Sequence, residues 1–305
     1  MELSVSYSAH VQTYGDRPAV KDGATAGTSG KSKRLESIKI SLSDTSNGSI
    51  EYRSHVQRGG WESTWAKDGK MSGTSNQSRR LEGMQVRLTG DLLVKTHDVF
   101  YRVHSQTFGW LGWASNGEPA GTSGQSKRLE AFEVMVLPKG QVPKGYDASA
   151  PAFVGAVTAN ASVQTYGWLG AKSVFTLGTT GESKRLEAIR VTIPSQPYAG
   201  GIEYQSHVQR AGWETSWKAD GAMSGTTGKS RRLEAVRMRL TGELANHLSV
   251  WYRVHSQTYG WGGWTRDGES AGTSGLSRRV EAIEVRILPK TAAAPGSTKN
   301  AMRTK

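Results

Sequence analysis

The chain of 305 residues contains no cysteine. That excludes disulfides, zinc–thiolate sites and thiol catalysis, and leaves the compartment open, because many bacterial surface proteins also lack cysteine. There is no apolar run near the roughly 18 residues that a membrane-spanning helix needs, so no membrane insertion is expected. The first residues, Met1-Glu2-Leu3-Ser4-Val5-Ser6-Tyr7, alternate like a strand and carry neither the charged start nor the apolar stretch of a signal peptide. The expectation is a mature or trimmed chain, or one not exported by that route. Catalytic signatures are missing too: no G-x-S-x-G elbow, H-E-x-x-H helix or P-loop occurs, and carboxylates recur only beside Arg in one strand segment. Neither catalysis nor a cofactor is expected.

What is abundant is Gly (37), Trp (10) and Tyr (10), the composition of a loop-rich β protein. The 39 Lys and Arg against 26 Asp and Glu leave a net charge of +13, compatible with nucleic acid, an anionic polymer or simple solubility. Lys290, Lys299, Arg303 and Lys305 lie in a stretch of Pro, Ala, Ser and Thr, so residues 291–305 read as a flexible basic tail.

Self-similarity dominates the sequence. Aligned on one glutamine, six copies of a repeat stand at Gln12, Gln57, Gln106, Gln164, Gln209 and Gln257, with steps of 45, 49, 58, 45 and 48 residues. The long step holds Pro138-Lys139-Gly140-Gln141-Val142-Pro143-Lys144-Gly145, a linker composition. Because IEYRSHVQRGGWESTWAKDG in the second repeat matches IEYQSHVQRAGWETSWKADG in the fifth, a triplet was duplicated whole. The expected organisation is a first triplet over 1–138, a linker over 139–152, a second triplet over 153–290, and the tail. Three repeats can cover one another's strand edges around a shared centre, which a lone repeat could hardly do.

Each repeat starts and ends in period-two alternation, as in Val250-Trp251-Tyr252-Arg253-Val254-His255-Ser256-Gln257 and Ile283-Glu284-Val285-Arg286-Ile287. Between them come Gly-Trp and an Asp-Gly or Asn-Gly turn at Asp22-Gly23, Asp68-Gly69, Asn116-Gly117, Asp220-Gly221 and Asp267-Gly268. Four strands per repeat follow. The predicted fold is all-β, two tandem pseudo-threefold domains, β-trefoil-like or alternatively β-prism-like.

Three features carry candidate chemistry. Gly-Thr-x-x-x-Ser-Lys/Arg-Arg-Leu-Glu, with Val280 replacing Leu in the last copy, places Arg34, Arg80, Arg128, Arg185, Arg232 and Arg279 two residues before a Glu, either as donors to an anion or sugar or as a structural Arg–Glu network. Trp61, Trp110, Trp168, Trp213 and Trp261 follow a Gly, while Trp65, Trp113, Trp217 and Trp264 precede Asp68, Asn116, Asp220 and Asp267 by three. An indole offers a flat apolar face to a pyranose, and a neighbouring carboxylate or amide accepts its hydroxyl protons. The other reading of these rings is core filler. Asp16 replaces the first Trp, and Ala19 and Ala171 take the place of the second, in the first repeat of each half. Finally, His10, His55, His104, His207 and His255 precede the aligned Gln by two, with Ser162 in the odd copy. They either line a shallow polar pocket with the Trp or bond a loop backbone; no second ligand at suitable spacing suggests a metal. The candidate sites are thus the paired Trp, the turn Asp or Asn, and His55, His104, His207 and His255.

With HVQ-x-x-GW, DG-x-x-AGT-x-G and S-x-RLEAI present together and in order, the chain resembles the ChW family, clostridial hydrophobic repeats with a conserved tryptophan, over 5–137 and 157–288. The resemblance implies a bacterial extracellular or surface protein, often a binding or adhesion module. The expected function is multivalent, lectin-like binding of cell-surface or cell-wall glycan by a secreted or cell-surface protein; nucleic acid is not the expected partner. The alternatives are a basic scaffold for anionic polymer and a purely structural or self-assembling surface protein.

Overall fold

The computed structural model describes residues 3–170 and 172–305; Met1, Glu2 and Ala171, the last at the second-tryptophan position, lie outside the described residues. The chain divides into two units, Met1–Val154 and Gly155–Lys305. Both are built from strands, and among the described residues no helix is long and apolar enough to cross a membrane.

Every repeat is a long antiparallel pair, an opening and a closing strand. In the first unit the pairs are Val5–Val11 with Leu35–Leu42, Ser49–Val56 with Leu81–Thr89, and His97–Ser105 with Leu129–Pro138. In the second they are Val157–Val163 with Leu186–Thr192, Ile202–Val208 with Leu233–Leu240, and Leu248–Ser256 with Val280–Pro289. Alternation puts one side chain in two inside, and the largest are Tyr7, Tyr52, Tyr101, Tyr204 and Tyr252, one in each repeat but the fourth, where Ala159 stands. Each phenol hydroxyl donates to a backbone carbonyl, those of Tyr7 and Tyr204 to Ala24 and Ala222 at 2.5 Å.

Between the long strands the described repeats hold three short strands rather than two. Gly-Trp forms a two-residue strand of its own, as at Gly60–Trp61, because a residue at positive φ (Arg58, φ 64) folds the chain straight back onto the end of the opening strand. The Asp-Gly turns appear where expected: Asp68 and Gly69 both have positive φ (41° and 83°), as a tight hairpin turn requires. Short helices Asp91–Thr96 and Leu244–His247, which the alternation does not announce, lead into the third and sixth repeats.

The repeats of a unit are joined in a cycle. The short Ser72–Gly73 strand pairs with the closing strand of the first repeat, Ala120–Ser123 with that of the second, and Ala26–Gly27 with that of the third. The second unit repeats the cycle with Ser224–Gly225, Ala271–Ser274 and Thr176–Gly178. The strands form several sheets, and among the described residues none closes into a barrel. A β-bulge makes this joint possible. In all six repeats the ladder skips the Glu of Arg-Leu-Glu, as where Leu81 faces Val56 and Gly83 faces His55. The skipped carbonyl then serves the neighbour: Glu36 O accepts Thr74 N–H at 2.8 Å. The backbones meet so closely that a Cβ on Gly73 would lie 2.5 Å from Glu36 O, and Gly73 has φ +102° as well, so only glycine fits. Gly-Thr and Arg-Leu-Glu are therefore the two halves of one joint between repeats.

The third and sixth repeats receive a further segment. Gly112 and Gly121 N–H donate to Pro151 and Ala152 carbonyls, so the end of the 139–152 linker lies on the first unit. Likewise Trp264 and Gly272 N–H donate to Ser297 and Ala301 carbonyls, and Met302–Thr304 runs parallel to Ala271–Ser274. The tail expected to be flexible is thus an added strand at its end, because the Gly-Thr strand of the last repeat offers an edge that backbone groups can satisfy.

Candidate functional site

The bulged Glu organises the polar face of each repeat. Its Oε1 accepts the Arg two residues earlier, for example Arg80 Nε at 2.8 Å, and the same pairing holds for Arg34, Arg128, Arg185, Arg232 and Arg279. Its Oε2 faces a histidine: His55 Nδ1 at 3.4 Å, His104 at 3.2 Å, His207 at 3.3 Å and His255 at 3.2 Å. The other side of that imidazole meets the edge of Trp61, Trp110, Trp213 or Trp261, with ring centroids 5.3–5.6 Å apart. In the first repeat, where Asp16 replaces the indole, His10 Nδ1 pairs with Asp16 instead at 2.8 Å.

The two tryptophans of a pair share one guanidinium. Arg102 lies 4.8 Å from both Trp110 and Trp113, and Arg253 lies 4.8 and 5.0 Å from Trp261 and Trp264. Arg53 serves Trp61 and Trp65 at 5.7 and 4.8 Å. In the fifth repeat the cation comes from the closing strand, Arg237, at 4.6 and 5.2 Å from Trp213 and Trp217. Each clamp is held by its cross-strand partner: Arg53 Nε on Gln85 at 2.8 Å, Arg237 on Gln205 at 2.7 Å, and Arg102 and Arg253 on Glu133 and Glu284 at 2.6 Å. Cation–π attraction and a charge-assisted bond thus act on one side chain. This clamp was not among the sequence-derived candidates. Its signal was present: at facing positions the second repeat has Arg53 and Gln85, the fifth Gln205 and Arg237, so the partners exchange strands while one Arg and one Gln are kept.

The expected site residues therefore have other occupations. Trp61, Trp65, Trp110, Trp113, Trp213, Trp217 and Trp261 are half-buried, each with an Arg against its ring, and Trp264 is buried. Asp68, Asn116, Asp220 and Asp267 do not reach out to a ligand with Oδ1; that oxygen accepts a backbone N–H near the start of the opening strand, from Ile50, Val99, Ile202 and Val250, each at 3.0 Å. His55 is buried, and His104, His207 and His255 are half-buried between Glu and Trp. Among the described residues no group of three His, Asp or Glu converges on a metal-sized space.

What the fold does present to solvent is the loop just after each aligned Gln. Tyr14, Phe108, Tyr166 and Tyr259 occupy one equivalent position and are 48, 37, 51 and 39% exposed. Cations stand beside three of them: Arg17 and Lys33 at 5.8 and 6.0 Å from the Tyr14 ring, Lys184 at 5.7 Å from Tyr166, and Arg303 at 4.8 Å from Tyr259. The second and fifth repeats put exposed Arg58 and Arg210 in this loop. A positive φ at the preceding Thr (Thr13, Thr107, Thr165, Thr258) turns the ring outward. In the sequence this position reads only as an aromatic before Gly-Trp; its exposure follows from the turn, which alternation does not reveal.

Fold and loops together define a two-unit all-β repeat protein that displays one loop six times. The family model described as Clostridial hydrophobic W (ChW) matches residues 10–44, 55–90, 104–138, 163–194, 207–242 and 255–289, and the chain belongs to that family. Comparison with curated proteins and with solved structures finds no match.

Proposed function

We propose that this chain is a non-catalytic, multivalent binding protein of the cell surface or the secreted fraction, with lectin-like recognition of cell-surface or cell-wall glycan. The observation that carries the reading is the recurrence of an exposed ring at one loop position in four repeats, with an exposed Arg one residue earlier in the same loop of the other two. An exposed Tyr or Phe supplies the flat apolar face that a pyranose stacks on, and the adjacent Lys or Arg donates to its oxygens. The tryptophans act behind this surface: clamped on arginine, they stiffen the hairpin on which the loop stands. Single shallow loops of this kind bind weakly, and several on one chain bind a polymer through effective concentration.

The same Lys and Arg beside the rings, with a net charge of +13, favour a second reading as a scaffold for anionic polymer. A glycan array read at about 0.15 M and about 0.5 M salt separates the two, since exposed charge pairing is largely screened at the higher value. Binding that persists in high salt and is lost when Tyr14, Phe108, Tyr166 and Tyr259 are all changed to Ser supports glycan recognition. Binding lost in high salt alone supports the anionic polymer. Array binding indifferent to the four rings rejects the loop site.

A further inference from the structure

The two units treat one place differently. In each, a glycine at the start of the second hairpin lies against the end of the closing strand and the short helix: a Cβ on Gly48 would meet Thr89 O at 2.0 Å and Leu93 Cβ at 2.8 Å, and one on Gly200 would meet Thr241 O at 2.0 Å and Leu244 Cβ at 3.0 Å. These contacts fix the correspondence, so that Ser46 matches Tyr198 and, counting along the helices, Thr96 matches His247. In the second unit the space between segment and helix is bridged by a ring stack, Tyr198 on His247, with centroids 3.9 Å apart and planes at 13°. In the first unit both rings are missing, and a cavity of about 560 Å³ opens there, within the span of small-molecule sites, about 300–1,000 Å³.

We infer that this cavity of the first unit is a binding site for one neutral or amino-bearing sugar ring, which occupies the place that Tyr198 fills in the second unit. Leu92 and Leu93 give it an apolar wall, and Asp44, Asn47 and His97 give it polar ones. That is the division of surface a pyranose needs, C–H face on one side and hydroxyls on the other. His97 is oriented by a 2.9 Å bond between its Nδ1 and Thr96 Oγ1. In the second unit the matching residue is the buried Leu248, so the polar wall belongs to the first unit. Among the described residues the lining holds a carboxylate and no Lys or Arg, which disfavours an anionic ligand. Ser46 N–H bonds Asp44 Oδ1 at 2.9 Å, keeping that carboxyl below its usual range. The ligand class rests on the glycan reading above; the location does not, since none of the aromatic loop residues lines the cavity.

The test is NMR titration of the full chain with methyl glucoside, glucosamine and, separately, phenol. The sugars shift the amides of Asn47, Leu93 and His97, and Ser46→Tyr, which rebuilds the second unit's ring, weakens that response by about tenfold or more. Unchanged sugar shifts in a folded Ser46→Tyr chain, no sugar shifts in the parent chain, or shifts with phenol alone would each overturn the assignment. Loss of array binding in the four-ring variant bears on the loops and leaves the Asn47, Leu93 and His97 response intact, so the two readings fail separately.

Discussion

The buried tyrosines show how much one atom does here. Tyr7 and Tyr52 are pushed from 10.0 up to about 12, chiefly by burial. Burial also raises Tyr101, Tyr204 and Tyr252. The folded chain therefore holds these protons where the unfolded chain has lost them. Their contribution is fully present below about pH 10 and is lost as pH rises through the folded value, so stability falls with pH across that window. Urea titrations between about pH 9 and pH 12 should show this fall, and Tyr7→Phe should make it shallower for the first unit, where Tyr52 and Tyr101 still contribute, while costing about 1–2 kcal/mol at neutral pH through the carbonyl left without its donor. A clamp residue is equally exacting. Arg102→Ala removes the cation from between Trp110 and Trp113 and strips Glu133 of its 2.6 Å partner. Chemical denaturation should register a loss of about 3 kcal/mol, with Arg102→Lys intermediate because an ammonium lacks the fork.

At the scale of the element, the joint between Gly-Thr and Arg-Leu-Glu governs. Gly73 has both a positive φ and Glu36 O in the way, whereas Gly15 has φ +68° and nothing within 4 Å of where a Cβ would sit. Gly15→Ala should cost about 1 kcal/mol from backbone strain alone. Gly73→Ala should cost at least twice that, since the first and second repeats must separate to admit the methyl; differential scanning calorimetry of the two variants checks the ranking. Much of this scale was legible beforehand. Period-two alternation in Val250–Gln257, the Asp-Gly turns and the six-fold recurrence are local patterns, and the pairing of the long strands follows from them. The pairing of Ser72–Gly73 with another repeat and the bulge at Glu82 were not legible, because each depends on backbone brought together from distant segments, and the Arg53 clamp left only the exchange of Arg and Gln between facing positions as its trace. The structural part of the turn aspartates was hidden for the same reason: Oδ1 of Asp68 and Asp267 accepts a backbone N–H near the start of the opening strand, 18 and 17 residues away in sequence.

At the scale of the molecule, each unit contains a complete cycle of three joints. Damage to one cycle should leave the other folded, so calorimetry of Gly73→Ala should show one transition lowered and the other in place. The cycle also explains why a scaffold of short strands can hold six loops in equivalent positions, the condition for multivalent contact. On the proposed reading, function at this scale is avidity, with the exposed rings at Tyr14, Phe108, Tyr166 and Tyr259 each acting weakly and counting together.

The most direct measurement is surface-binding analysis on an immobilised cell-wall polysaccharide, against its free oligosaccharide as competitor, for chains with one, two and four of these rings changed to Ser. The multivalent account predicts that apparent affinity for the surface falls stepwise, by about tenfold per ring, while the oligosaccharide affinity of each remaining loop is unchanged. Full loss on changing any single ring, or undiminished binding with all four changed, would contradict it.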